Sequence, residues 1–92
     1  MIGRRLSIQG RVQGVGFRES MIEVAQTHRV SGWVRNRADG SVEAHVQGDD
    51  AAVENVVAWC RRGPPAARVT KVDVADAEID QGLAGFERRR TE

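Results

Sequence analysis

The amino-acid sequence predicts an α+β sandwich, an antiparallel sheet of four to five strands with two helices on one face. Three observations carry this reading. Short runs alternate apolar and polar residues at period two, two other segments repeat apolar residues at i, i+3, i+4 and i+7, and Asp39-Gly40 separates two of the alternating runs as the signal for a tight hairpin. With 92 residues, 40% hydrophobic and 29% charged, the chain fits one globular domain over residues 1–92.

Leu6, Ile8 and Val12 alternate with Arg5, Ser7, Gln9 and Arg11, which predicts a first strand with one buried and one wet face. Gly14 and Gly16 break that pattern into a loop. From Phe17 to about Arg29, Met21, Val24, Ala25 and His28 form the stripe of a helix, widened by Ile22. Val30 to Arg37 reads as a second strand. Val42, Ala44 and Val46, alternating with Glu43, His45 and Gln47, read as a third that pairs antiparallel with it through the Asp39-Gly40 turn. Asp49 or Asp50 caps a second helix whose stripe is Val53, Val56, Val57 and Cys60. Arg61 and Arg62 suit its negative end, and Gly63-Pro64-Pro65 stops it. Val69, Val72 and Val74 mark a fourth strand with an open register, since Val69 breaks strict alternation, and Phe86 to Arg90 adds a short fifth.

The order βαββαβ is the split βαβ pattern of ferredoxin-like sandwiches. In that topology the first and second strands run the same way with the third between them. The loop at residues 13–18 then lies beside the residues ending the second strand, Arg35, Asn36 and Arg37, so the fold itself builds a pocket there.

Charge and cysteine usage exclude several classes. Lys and Arg number 14 against 13 Asp and Glu, a net +1, which excludes a polyanion-binding tail. The basic set is nearly all arginine, whose rigid fork suits phosphate or carboxylate. Cys60 is alone, so no intramolecular disulfide forms, and it makes no recognisable ligand spacing with His28 and His45. A metal-free mechanism is the default. Charges at Arg4 and Arg5 interrupt the N-terminal stretch and no run approaches a membrane span, so a cytoplasmic protein without membrane attachment is expected. RNA-recognition domains share the element order, but they stack bases on exposed aromatics. The first strand here offers Arg5, Ser7, Gln9 and Arg11 and the third Glu43, His45 and Gln47, so no nucleic-acid partner is expected.

The segment Gly10-Arg11-Val12-Gln13-Gly14-Val15-Gly16-Phe17-Arg18 joins a strand to a helix start through two glycines. Such a loop turns backbone N–H groups toward one point, and the helix adds its positive end, so an anion is the natural guest, with Arg18 placed for a bidentate contact. A plain turn with Arg18 solvated fits the same spacing. Asn36 follows Val34 by two and shares its side of the strand. Its amide could hold a water against an anion or bond the hairpin backbone locally, and spacing leaves both open.

These residues carry a resemblance. The glycine segment through Arg18, followed by Gly32-Trp33-Val34-Arg35-Asn36 and Asp39-Gly40-Ser41-Val42-Glu43, resembles the acylphosphatase family, and the likeness runs on through Trp59-Cys60-Arg61-Arg62-Gly63-Pro64-Pro65-Ala66 to Gly85-Phe86. The resemblance implies a ferredoxin-like sandwich that hydrolyses acyl phosphates to a carboxylate and inorganic phosphate without metal or cofactor. It implies that Gln13, Gly14, Val15, Gly16, Phe17 and Arg18 form the phosphate-binding loop, that Arg18 binds the phosphate, and that Asn36 positions the attacking water. Small-molecule acyl phosphate and inorganic phosphate are the implied partners of a monomer. A non-catalytic module that binds phosphate or acyl phosphate is the alternative. One departure stands out: many relatives carry an aromatic residue after the motif arginine, where this chain has Glu19, which bears on substrate range and rate more than on fold.

Other residues have structural explanations. Phe17 is expected as a core plug beneath the loop, Trp33 as cover for the far sheet face, Trp59 as partly buried packing and Cys60 as a small buried hydrophobe. His28 is expected in the core and His45 on the surface. Arg35 and Arg37 are secondary candidates at the pocket, and Arg88-Arg89-Arg90 reads as a solvated terminal run.

Overall fold

A computed structural model describes residues 1–92. The elements are β1 (Ile2–Arg11), α1 (Phe17–Thr27), β2 (Ser31–Asn36), β3 (Val42–Gly48), α2 (Asp50–Cys60), β4 (Arg68–Asp76) and β5 (Phe86–Arg88). They form a five-stranded sheet in the order β4-β1-β3-β2-β5. β3 is antiparallel to both β1 and β2, so β1 and β2 run the same way and their ends share one edge, as the split βαβ pattern requires. β5 lies parallel to β2, with Gly32 opposite Phe86 and Val34 opposite Arg88, so the sheet is mixed where an antiparallel one was expected. The reason is the connection: β4 and β5 occupy opposite edges, and the chain crosses the sheet before β5 begins.

The period-two and helical stripes meet in one core. Leu6 and Ile8 of β1, Val34 of β2 and Val42, Ala44 and Val46 of β3 are fully buried against Phe17, Met21 and Ala25 of α1 and Val53, Val56, Val57 and Cys60 of α2. Each such side chain contributes about 1.5–3 kcal/mol relative to exposure. The irregular position of Val69 is a β-bulge. Gln9 pairs with Lys71 and Gly10 with Val69, leaving Thr70 as the extra residue.

The helix-free face is covered as well. The β4–β5 connection lies over it, and its Asp80 N–H donates to Gln47 Oε1 at 2.8 Å while Gln47 Nε2 donates to the Asp80 carbonyl at 2.9 Å. Trp33 is buried there, and the Arg5, Arg35 and Arg89 guanidinium carbons each stand 4.9 Å from its ring. His45, expected at the surface, is buried beside Trp33, with Nε2 2.7 Å from Gln47 Oε1. His28, expected in the core, is half-buried at the C-cap of α1, on the groove between α1 and α2.

Candidate active site

β1 delivers the chain into the loop through the buried Val12. Gly14 and Gly16 then adopt left-handed φ values of 73° and 79°. A Cβ at either would meet nothing within 4 Å, so glycine is required there by the backbone conformation rather than by crowding. Gly16 is the N-cap of α1 and no side chain caps the first turn. Its leading N–H groups therefore lack intrahelical acceptors and point, with the positive end of the helix, toward the open side of the loop. Phe17 fastens this turn from beneath, buried and 5.3 Å from the Trp59 ring, so only its backbone faces the loop. Val15 packs half-buried against the core.

Gln13 faces the other way. Its Nε2 donates to the Arg37 carbonyl at 2.8 Å and the Ser41 carbonyl at 2.9 Å, tying the loop to the β2–β3 hairpin. The hairpin is further closed by the Arg37 N–H to the Ser41 carbonyl at 2.8 Å. Asp39 Oδ1 accepts from the Ser41 hydroxyl at 2.6 Å and N–H at 2.9 Å, and these bonds hold the Asp39 carboxyl below its ordinary range.

Between loop and hairpin lies a small cavity of about 80 Å³ lined by Gly14, Gly16, Arg18, Glu19, Asn36 and Arg88, with Val12 and Phe17 as its floor. Asn36, the last residue of β2, is 9% exposed, and its Oδ1 is buried with no hydrogen-bond partner. Only one other buried side-chain polar atom lacks a partner, His45 Nδ1 on the opposite sheet face. Leaving a buried acceptor unpaired costs about 1–3 kcal/mol. Arg18 is half-buried on the same cavity and takes part in none of the ion pairs of the fold. Asn36, with its unpartnered buried Oδ1, and Arg18, in no ion pair, thus line one cavity with the glycines of an uncapped helix start.

Arg35 and Arg37 do not join them. Arg35 Nε and Nη2 each donate to Glu43 Oε1 at 2.7 Å and Arg37 Nη1 does so at 3.1 Å, on the helix-free side. The pleat that directs Val34 and Asn36 inward directs Arg35 outward. Sequence reasoning missed Arg88, which lines the cavity and donates from Nη1 to Glu19 Oε1 at 2.6 Å. The strand alternation that sends Arg89 to Trp33 is the signal that could have found it. Two larger, more open hollows of about 610 and 500 Å³ follow the groove between α1 and α2, but no unpaired buried group faces them. Burial pushes the Cys60 thiol up to about 12, so it is no nucleophile. No three His, Cys, Asp or Glu side chains gather in a group that could hold a metal ion.

A ferredoxin-like sandwich with a left-handed glycine loop at a helix start, facing an arginine and an asparagine, defines a small anion-binding α+β domain. The family model described as Acylphosphatase matches residues 4–88. An acylphosphatase of Thiobacillus denitrificans is 57% identical over 84 residues, 91% of this chain and 92% of its own. One of Acidiphilium cryptum is 50% identical over 91 residues, 99% of both. The crystal structure of acylphosphatase from Bacillus subtilis matches with a TM-score of 0.91 at 35% identity, covering 97% of this chain and 99% of that one. The chain belongs to the acylphosphatase family.

Proposed function

We propose that this chain hydrolyses the carboxyl–phosphate bond of acyl phosphates to a carboxylate and inorganic phosphate, without metal or cofactor. The observation that carries the proposal is that Asn36, whose buried Oδ1 has no partner, lines the same cavity as Arg18, which enters no ion pair. In this reading Arg18 and the backbone N–H groups of residues 14–18 hold the phosphoryl oxygens, and Asn36 Oδ1 accepts a hydrogen bond from water and aims its oxygen at phosphorus. The water oxygen forms the new P–O bond as the P–O bond to the acyl group breaks, and that electron pair leaves with the carboxylate. A carboxylate has a pKa of about 4, so it departs without a general acid. Asn36 is no base, so the water's proton passes to a phosphoryl oxygen. The protein's contribution is positioning and charge stabilisation, which phosphoryl transfer chiefly requires.

Residues 1–92 acting as one domain, a monomeric state and a cytoplasmic location belong to the same proposal, as does a small-molecule rather than nucleic-acid partner. The near-balanced charge supports the last of these, since a small anion needs one placed guanidinium and no basic face. The test is hydrolysis of benzoyl phosphate by purified protein in excess chelator. Turnover that survives the chelator is expected; none contradicts the proposal.

A further inference from the structure

The floor of the cavity is Val12 and Phe17 and its inner polar wall Asn36, so an acyl group on a phosphoryl bound at the loop extends toward the solvent side. The acyl group therefore passes out through the mouth. Of the polar side chains lining the cavity, Glu19 and Arg88 are the exposed pair, 66% and 53% open to solvent, while Asn36 lies deep.

Arg88 is held at that mouth by backbone. It pairs with Val34 in the parallel β5–β2 ladder, and the next N–H, that of Arg89, donates to the Val34 carbonyl at 2.9 Å. Arg89, the residue after β5, stands over Trp33, and Arg88 lies on the helix side. A guanidinium has five N–H donors, and Arg88 commits only Nη1, to Glu19 Oε1 at 2.6 Å. Nε and Nη2 make no bond within the protein. The pair is exposed, and such pairs are worth about 0–1 kcal/mol, so a carboxylate arriving at the mouth can share or displace Glu19 at little cost. Facing a neutral acyl group the pair is electrically balanced and adds no attraction.

Resting on the acylphosphatase reading, we propose that Arg88 is a substrate-binding residue that selects acyl phosphates whose acyl group bears a free carboxylate, with Glu19 competing for the guanidinium. Arg18 takes the phosphoryl charge and Arg88 the charge at the far end of the acyl chain.

The test compares succinyl phosphate, which carries a free carboxylate, with benzoyl phosphate, which does not, in chelator. The readout is the ratio of their kcat/KM values, so each variant's benzoyl phosphate turnover also reports that it is folded. Arg88→Gln should lower the ratio several-fold, up to about fivefold, the weight of an exposed ion pair. Glu19→Gln should raise it by removing a like charge. A ratio that stays parental in Arg88→Gln, including one where both substrates lose equally because Arg88 serves the phosphate, overturns the proposal, as does a fall in Glu19→Gln. If the unaltered protein turns over neither substrate, the acylphosphatase reading itself fails, and this selectivity fails with it.

Discussion

Gln13 Nε2 donates to the carbonyl of Arg37 across 2.8 Å, joining the loop that starts α1 to the residue that follows Asn36. The same nitrogen reaches the Ser41 carbonyl at 2.9 Å. The side chain of Gln13, a residue of the loop expected to bind phosphate, thus ties that loop to the end of β2.

Replacing Gln13 by Leu removes both bonds and frees the hairpin to shift. A misplacement of an ångström can cost about a hundredfold in rate, so kcat should fall by about ten- to a hundredfold. KM should move less, because Arg18 and the loop amides remain. Steady-state kinetics on benzoyl phosphate check the split, and an equal change in both parameters would count against a positioning role.

Arg18→Ala should abolish measurable binding of inorganic phosphate and lower kcat/KM by about 10²–10³, the usual cost of one transition-state donor. Arg18→Lys should recover little of it, because an ammonium cannot present two parallel N–H bonds. Calorimetric titration with phosphate distinguishes the two variants from a merely slowed enzyme.

Glu43 predicts how acid weakens the fold. Partial burial raises its carboxyl, but the hydrogen bonds and charges of Arg35 and Arg37 outweigh that and leave it below its ordinary value of 4.5. A depressed carboxyl stabilises the folded state fully above the unfolded value, and that contribution disappears as pH falls through the folded one. Glu43→Gln should therefore melt at a lower temperature than the parent at pH 7, with the gap narrowing below about pH 4. A gap that stays constant with pH would exclude the ionic contribution.

Cys60 should be silent in the native state. Its thiol is fully buried and pushed up to about 12, with Met21 Sδ at 3.8 Å as its hydrogen-bond partner. Thiol reagents at pH 8 should label it only at the rate of unfolding, and native labelling without loss of structure would contradict its burial.

How much of this was legible before the fold was known depends on the range of the interaction involved. The stripes of α1 and α2, the alternation of β1 and β3 and the Asp39-Gly40 turn are local, and each appears where its periodicity puts it. The loop–Asn36 juxtaposition was also legible, because it follows from element order alone. The direction of β5, the burial of His45 and the placement of Arg88 were not. All three depend on a connection that crosses the helix-free face and returns the chain beside β2, and nothing in its local composition announces that path. Arg35 and Arg37 looked like pocket residues by sequence distance, yet pleat and hairpin give them to Glu43. For Asn36 the local pattern allowed a hairpin bond, and its Oδ1 makes none.

The central claim is the division of labour between Arg18 and Asn36, and Asn36→Ala tests it most directly when phosphate binding and turnover are measured on one sample. The account predicts parental phosphate affinity, a melting temperature close to the parent because the lost Oδ1 had no partner, and kcat lower by about 10²–10³. Hydrolysis at the parental rate, or phosphate affinity lost together with turnover, would contradict it.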